Sequence, residues 1–174
     1  MDLPPLTHEP PLYRTRLAEA ETVNRALAAA FEREFGGPHM RQSHRELGRY
    51  ENTWIAREAI PEAEPVLALA EAAAHHILGR DALRCIFWFN RMQPGDRTAR
   101  HNHEEGGELL SGVYYVETPP ACGDLLLYPA EGVRRVRPEA GQMLFFPPRL
   151  AHAVEANLSD RLRLSLAFNF GPAE

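Results

Sequence analysis

Arg161-Leu162-Arg163-Leu164-Ser165-Leu166-Ala167-Phe168-Asn169-Phe170 is the stretch that decides the fold of this chain. Successive side chains of a β-strand point to opposite faces, so hydrophobicity with a period of two marks a strand between two different environments. Leu162, Leu164, Leu166, Phe168 and Phe170 share one face; Arg161, Arg163, Ser165, Ala167 and Asn169 share the other. The apolar face needs a cover. If helices pack on it from outside, the polar face points into a barrel, toward a ligand. The competing reading of the same parity is an edge strand with a solvated outer face.

Working outward, the chain from Gly79 onward consists of short β-favouring runs broken by Pro, Gly and Asp. The strands expected are Leu83–Asn90, Thr98–His103, Leu110–Val116, Asp124–Tyr128, Val133–Arg137, Gln142–Phe146, Ala151–Glu155 and Arg161–Phe170. Pro94-Gly95-Asp96, Pro119-Pro120, Pro129, Pro138 to Gly141 and Pro147-Pro148 supply the turns between them. About eight strands with no intervening helical run argue against a parallel βαβ sheet and predict a mainly β, double-sheet jelly roll.

The first 80 residues are different. Val23, Leu27, Ala30, Phe31 and Phe35 recur at three and four, with Gly36-Gly37-Pro38 stopping the run, which predicts an amphipathic helix over 17–35. A second helix is expected over 62–78: Pro61 suits the entry, Val66, Ala70, Ala73, Ala74 and Ile77 line one face, and Gly79 ends it. Between the helices, Arg41 to Ala56 is polar and aromatic without a clear period; it reads as a loop with at most one short strand, placed as a lid or as a surface connection pinned by Trp54. The expectation is one domain over 1–174, with a helical preface over 1–80 and a β core over 81–174.

At 174 residues the chain is long enough for one sizeable core. Its formal net charge of −5 gives no reason to expect nucleic-acid or anionic-membrane binding, so a small partner is expected. Met1-Asp2-Leu3-Pro4-Pro5 has neither a basic leader nor an apolar signal core, and no apolar run would span a bilayer, from which a cytoplasmic location is expected. Cys85 and Cys122 form no C-x-x-C pair and read as reduced bystanders. For assembly, a homodimer is the base expectation.

Chemistry concentrates in Arg100-His101-Asn102-His103-Glu104-Glu105. Histidines at i and i+2 project from one face of a strand and can grip one metal ion. His152, about fifty residues on, would supply a third corner while leaving coordination sites open, as redox or hydrolytic metal chemistry requires. Arg163 and Ser165, two apart on the last strand, would add a fork for a carboxylate. His75-His76 are neighbours on a helix and diverge by about a hundred degrees, so they do not form a ligand pair. His8, His39 and His44 fall in loops, without a role. There is no nucleophile elbow, phosphate-cradling glycine loop or dinucleotide fingerprint.

Trp88-Phe89-Asn90, Pro94-Gly95, His101-Asn102-His103, Ser111-Gly112-Val113-Tyr114-Tyr115-Val116, Pro138 with Gly141, Phe146-Pro147, His152-Ala153-Val154, Arg163-Leu164-Ser165 and Ala167-Phe168-Asn169 together resemble a family of bacterial 2-oxoglutarate and Fe(II)-dependent oxygenases. Asn24, Leu27 and the stretch from Gln42-Ser43 to Trp54 resemble that family's helical preface more weakly. The resemblance implies a double-stranded β-helix with the two N-terminal helices on its outer face, iron held by histidines of the second and seventh core strands, and 2-oxoglutarate chelating that iron. It also implies that Arg163, helped by Ser165, pairs with the distal carboxylate of 2-oxoglutarate. Trp88, Tyr114 and Tyr115 read as core or pocket wall, with Tyr115 or Asn90 as a candidate hydrogen-bond donor to 2-oxoglutarate. O2 and a small-molecule or peptide substrate would complete the reaction, which is expected to hydroxylate an unactivated C–H bond and release succinate and CO2.

One departure from the wider superfamily matters: its usual His-x-Asp or His-x-Glu is here His101-Asn102-His103. Three ligand sets stay open: His101, His103 and His152; His103, Glu105 and His152; or the three histidines joined by Glu108. The last arises because Gly95, His101-x-His103 and Glu108, followed by Gly141, Pro147 and His152, also resemble the two cupin motifs. A cupin-type metalloenzyme working without 2-oxoglutarate, or a noncatalytic small-ligand barrel, are therefore the alternative functions on the same fold. Arg163-x-Ser165, which has a task only if a dicarboxylate is anchored, and Arg149 where a cupin has glycine, favour the oxygenase.

Overall fold

A computed structural model of the chain describes residues 3–103 and 106–173. In chain order the elements are β1 (Thr7–Glu9), β2 (Leu12–Arg16), α1 (Ala20–Glu34), β3 (Met40–Glu46), β4 (Arg49–Ile55), α2 (Glu64–Leu78), β5 (Leu83–Met92), β6 (Thr98–His101), β7 (Leu110–Glu117), β8 (Leu125–Leu127), β9 (Arg134–Val136), β10 (Gln142–Phe146), β11 (His152–Val154) and β12 (Arg163–Pro172). The chain is mainly β and forms a double-stranded β-helix. Its larger sheet runs β1-β2-β10-β7-β12-β5-β4-β3 and its smaller one β6-β11-β8-β9. All pairings are antiparallel, and each of the eight strands expected after Gly79 is present.

The parity of β12 sorts its surroundings as expected. Leu164, Leu166, Phe168 and Phe170 pack outward with Phe89, Tyr114, Met143 and Phe145 against Leu27, Phe31, Val66, Leu67 and Ala70 of the two helices. Its other face, Arg163, Ser165, Ala167 and Asn169, lines the cavity between the sheets. The solvated-edge reading fails because β12 is central, paired along its length with β5 and along most of it with β7. A buried hydrogen bond from Tyr114 Oη to Asn24 Oδ1, 2.6 Å, fixes α1 on β7. The second helix ends where Gly79 takes the left-handed conformation (φ 61°), which costs glycine nothing sterically. A second, smaller core of Leu12, Leu125, Leu127, Val136, Leu144 and Phe146 closes the space between the sheets around Tyr115.

Residues 41–56 correct the sequence reading. They are not a loop but most of the β3–β4 hairpin, which extends the larger sheet through the pairing of Thr53 with Phe89. The period of two was hidden because the buried set of β4 is chemically mixed: Glu51, Thr53 and Ile55 are all buried. Most of β3 carries polar residues on both faces, as an edge strand does. The N-terminal hairpin β1–β2, which packs on β10, was not expected either. Among the described residues no helix is long and apolar enough to cross a membrane.

Candidate metal and cosubstrate site

The two sheets enclose a cavity of about 420 Å³. His101 is the last residue of β6, and β11 pairs its first residue, His152, directly with it. His103 lies just past the end of β6 and is held there by its backbone N–H, which donates to Pro148 O at 2.9 Å, so the segment before β11 positions ligands from both strands. The nearest ligand atoms of His101, His103 and His152 all lie within 4.8 Å of one another. Ring centroids are 4.2 Å apart for His101 and His152, 5.1 Å for His101 and His103, and 5.2 Å for His103 and His152.

The protonation of this trio suits a metal. His101 Nδ1 stands 2.9 Å from Ala99 O and His152 Nδ1 3.0 Å from Leu150 O. A carbonyl only accepts, so Nδ1 carries the hydrogen and Nε2 keeps its lone pair for an ion, the outer-shell arrangement that orients metal-binding imidazoles. Burial pushes His152 down to about 3, with the charge of His101 adding to it and the Leu150 carbonyl opposing. Burial likewise pushes His103 down to about 4, helped by His101 and His44. Both rings are therefore neutral at pH 7, the state in which imidazole binds metal.

The carboxylates proposed from sequence sort differently. Glu108 is not part of the trio: it sits against Gly171 and pairs with Arg84 at 3.4 Å, so the four-residue cupin set is not brought together. Glu105 lies outside the described residues. A carboxylate the sequence did not single out, Glu51 on β4, reaches the cavity near His101; its burial raises its pKa, while Arg49 at 3.0 Å, His101 and Thr98 act against that rise.

At the other end of the polar face stands Arg163, 2% exposed. Its Nη1 donates to Met92 Sδ at 3.2 Å, its Cζ lies 5.4 Å from the Tyr115 ring, and its Nε has no hydrogen-bond partner among the described residues. No ion pair to Arg163 occurs among those residues, although a buried guanidinium is stable only when paired. Around it, Tyr115 Oη and Asn90 Oδ1 are also buried without partners, and the register aligns Tyr115, Ser165 and Asn90 as one row across β7, β12 and β5. A carboxylate bound here would satisfy Arg163, Tyr115 and Ser165 together, while Asn90 would use its amide N–H. The four residues predicted from sequence as carboxylate holders are thus side by side.

Sequence reasoning offered the β3–β4 hairpin as a lid or as a connection pinned by Trp54, and gave no site role to His44, Glu46, Glu51 or Asn52, which line the cavity with it. Trp54 Nε1 donates to Ser43 Oγ at 2.8 Å, and its ring lies 5.3 Å from Trp88, itself 6.1 Å from His103. His44, at φ 57°, falls between the Ser43–Asn52 and Arg45–Tyr50 pairs of an unshifted register, and its Nδ1 meets Ser43 Oγ at 2.8 Å. No signal in the sequence marks it.

A family model described as "Putative 2OG-Fe(II) oxygenase" matches residues 86–134 and 128–169, which span the strands carrying all of these residues except the hairpin's. Among solved structures, the chain is similar to a Pseudomonas putida prolyl-4-hydroxylase, with 24% identity, 92% of each chain covered and a TM-score of 0.71. It is also similar to the non-heme α-ketoglutarate-dependent epimerase SnoN of nogalamycin biosynthesis (18% identity, 93% and 78% covered, TM-score 0.71). EvdO2 from Micromonospora carbonacea var. aurantiaca, crystallised with 2-oxoglutarate, matches at 15% identity, with 94% and 86% covered and a TM-score of 0.71. At these identities the likeness is one of fold. No curated protein sequence matches the chain.

Proposed function

Since the chain belongs to the 2-oxoglutarate and Fe(II)-dependent oxygenases, we propose that it hydroxylates an unactivated C–H bond of a small molecule or a peptide side chain, with His101, His103 and His152 as the iron ligands. The observation that carries this reading is a single polar face with three convergent imidazoles at one end and a buried, unpaired guanidinium at the other. Fe(II), when bound, would let O2 act as the oxidant with 2-oxoglutarate as co-reductant: O2 and 2-oxoglutarate are consumed, CO2 leaves, one oxygen atom goes into succinate and the other into the substrate C–H bond.

The protein's own part is to hold and to exclude. The Nδ1–H bonds to Ala99 O and Leu150 O fix two rings so that Nε2 faces the ion. Three ligands leave open positions for the cosubstrate and O2. Arg163 forks onto the distal carboxylate with Ser165, Tyr115 and Asn90 beside it. Trp88 and Trp54 wall the space next to His103, and the β3–β4 hairpin covers it against water. Because imidazoles are neutral, the ion would keep its double charge and grip the dianionic cosubstrate more firmly than a site with a carboxylate ligand. We place the enzyme in the cytoplasm, where Cys85 and Cys122 stay free thiols.

The test is anaerobic addition of Fe(II) and then 2-oxoglutarate, followed by their visible charge-transfer band, and then succinate formation on admitting O2. A protein that takes up iron without developing the band on 2-oxoglutarate addition would move the reading to a metalloenzyme that works without that cosubstrate.

A further inference from the structure

The end of β12 opposite Arg163 carries polar atoms for which neither iron nor 2-oxoglutarate has a use. The register pairs Asn169 with Ser111 on β7, and Ala167, one inward position before it, with Trp88 on β5. All four residues line the cavity. Ser111 is 2% exposed, Asn169 5% and Trp88 6%. Even so, Ser111 Oγ, Asn169 Oδ1 and Trp88 Nε1 have no hydrogen-bond partner among the described residues. Buried polar atoms left in this condition are costly to the fold, so three on one wall mark a place that a polar ligand completes.

Their position is next to the chemistry. Phe146 pairs with Ser111 across β10 and β7, and its ring lies 4.9 Å from His152. Trp88 approaches His103 to 6.1 Å. Trp88 therefore adjoins the imidazole trio, Ser111 follows through Phe146 and Asn169 stands beside Ser111, while the cosubstrate's carboxylate is held four to six residues away along the same strand.

Their chemistry selects the ligand. An indole N–H only donates, an amide oxygen only accepts, and a hydroxyl does both. A group that satisfies all three must bring an N–H or O–H and an acceptor together. An amide brings both to the side chains as they stand, whereas a carboxylate has no hydrogen for Asn169 Oδ1 and would need that side chain to turn its N–H to it, as assigned above to Asn90. Charge points the same way: the chain contains no lysine, Arg163 is the only arginine lining the cavity among the described residues, and Glu46 and Glu51 line it too.

We infer that the substrate presents a neutral amide to this wall, its N–H donated to Asn169 Oδ1 and its carbonyl accepting from Ser111 Oγ and Trp88 Nε1. The inference deepens the oxygenase reading, on which it rests for the cosubstrate's occupying Arg163. Peptides and amide-bearing small molecules belong to the class it names; simple organic acids do not.

The probes are N-methylacetamide, its isostere methyl acetate, which lacks the N–H, and acetate. Binding is read by saturation-transfer NMR on protein loaded with Zn(II) and 2-oxoglutarate, and by displacement of the visible band of the anaerobic Fe(II) complex. The amide is expected to bind at least about tenfold more tightly than the ester, the equivalent of about 1.4 kcal/mol. Ser111→Ala and Asn169→Leu should each lose that margin while iron content and 2-oxoglutarate affinity stay at the wild-type level. Ser111→Ala removes an oxygen with no partner, so its melting temperature should not fall.

Equal binding of ester and amide, amide binding unchanged in both variants, acetate binding that depends on Ser111 and Asn169, or no amide binding in protein that forms the band would overturn the inference. Absence of the band in wild-type protein would instead strike the oxygenase reading, and the contrast between amide and ester would still be measured by NMR.

Discussion

Replacing Arg163 by methionine should move two measurements in opposite directions. In the ligand-free protein the guanidinium is 2% exposed, meets only sulfur, the Met92 thioether at 3.2 Å and the Cys122 thiol, and leaves Nε without a partner. Removing a buried charge so poorly compensated, in exchange for a shorter apolar chain that leaves some space behind, is expected to leave stability unchanged or raise it by up to about 1–4 kcal/mol. At about 2–4 °C per kcal/mol for a chain of this size, that is a melting temperature equal to or above wild type. With 2-oxoglutarate the sign reverses. The carboxylate would be buried opposite a methionine, and truncating one partner of a buried charged pair costs about 2–5 kcal/mol, or about 30- to 5000-fold in Kd. Calorimetric titration of Zn(II)-loaded protein with 2-oxoglutarate, beside thermal melting of the free protein, reads both. If affinity falls less than about tenfold, Arg163 does not hold the cosubstrate. A melting temperature far below wild type would make it a structural residue, and the reasoning from its missing partner would be wrong.

Four further outcomes follow from the same geometry. His101→Ala and His152→Ala should each retain almost no iron by elemental analysis; normal iron in His101→Ala would transfer the site to His103 and the carboxylate at Glu105. Tyr115→Phe removes a buried hydroxyl without a partner, so melting should be unchanged while 2-oxoglutarate affinity falls by roughly 0.5–1.5 kcal/mol, measured by the same titration. Because His103 and His152 are held at about 4 and 3, below their unfolded value near 6.5, the folded metal-free protein binds fewer protons than the unfolded chain in that window. Its stability should therefore be flat with respect to these groups above about pH 6.5 and fall as pH drops toward 4 and then 3; a His152→Phe variant should show a weaker slope in melting against pH. Gly112→Ala would set a Cβ 2.2 Å from the Phe168 ring and 2.8 Å from Leu144 O, and is expected to destabilise by roughly 1–3 kcal/mol or more in chemical denaturation.

What could be read from the sequence was whatever alternates cleanly. β12 has an apolar set and a polar set with no exception over its length, so its parity alone gave the outer helix-packed face and the inner cavity face. His101 and His103 were legible by spacing, and His152 by its distance from them along a strand-and-turn pattern. The β3–β4 hairpin was not legible, since Glu51 and Thr53 occupy buried positions that a hydrophobic pattern would assign to apolar residues. Their burial depends on partners far away in sequence: Arg49 Nη2 reaches both Glu51 and Thr98, a contact made only after β4 has paired with β5 and β6 has folded over. Glu108 illustrates the opposite failure. Its spacing from His103 matched a metal motif, but Arg84 on β5 and the close backbone at Gly171 hold it elsewhere.

The length of β12 ties the cosubstrate end and the substrate end into one device. From Arg163 to Ala167, whose cross-strand neighbour Trp88 adjoins His103, the strand rises about 13 Å at about 3.3 Å per residue. Arg163 and the level of the imidazoles are thus set apart by four residues of one strand. One further inward position brings Asn169, past the level of the imidazoles. A strand that alternates inward positions every second residue thus sets charge recognition, the imidazole level and neutral recognition in order along one line. Arg163 serves the diacid, and Asn169 with Ser111 serves the molecule to be oxidised. Shifting the register of β12 by one residue would send Arg163 and Asn169 into the helix-packed core and Leu164 and Phe168 into the cavity, so the same parity that folds the sheet also keeps its chemistry in place.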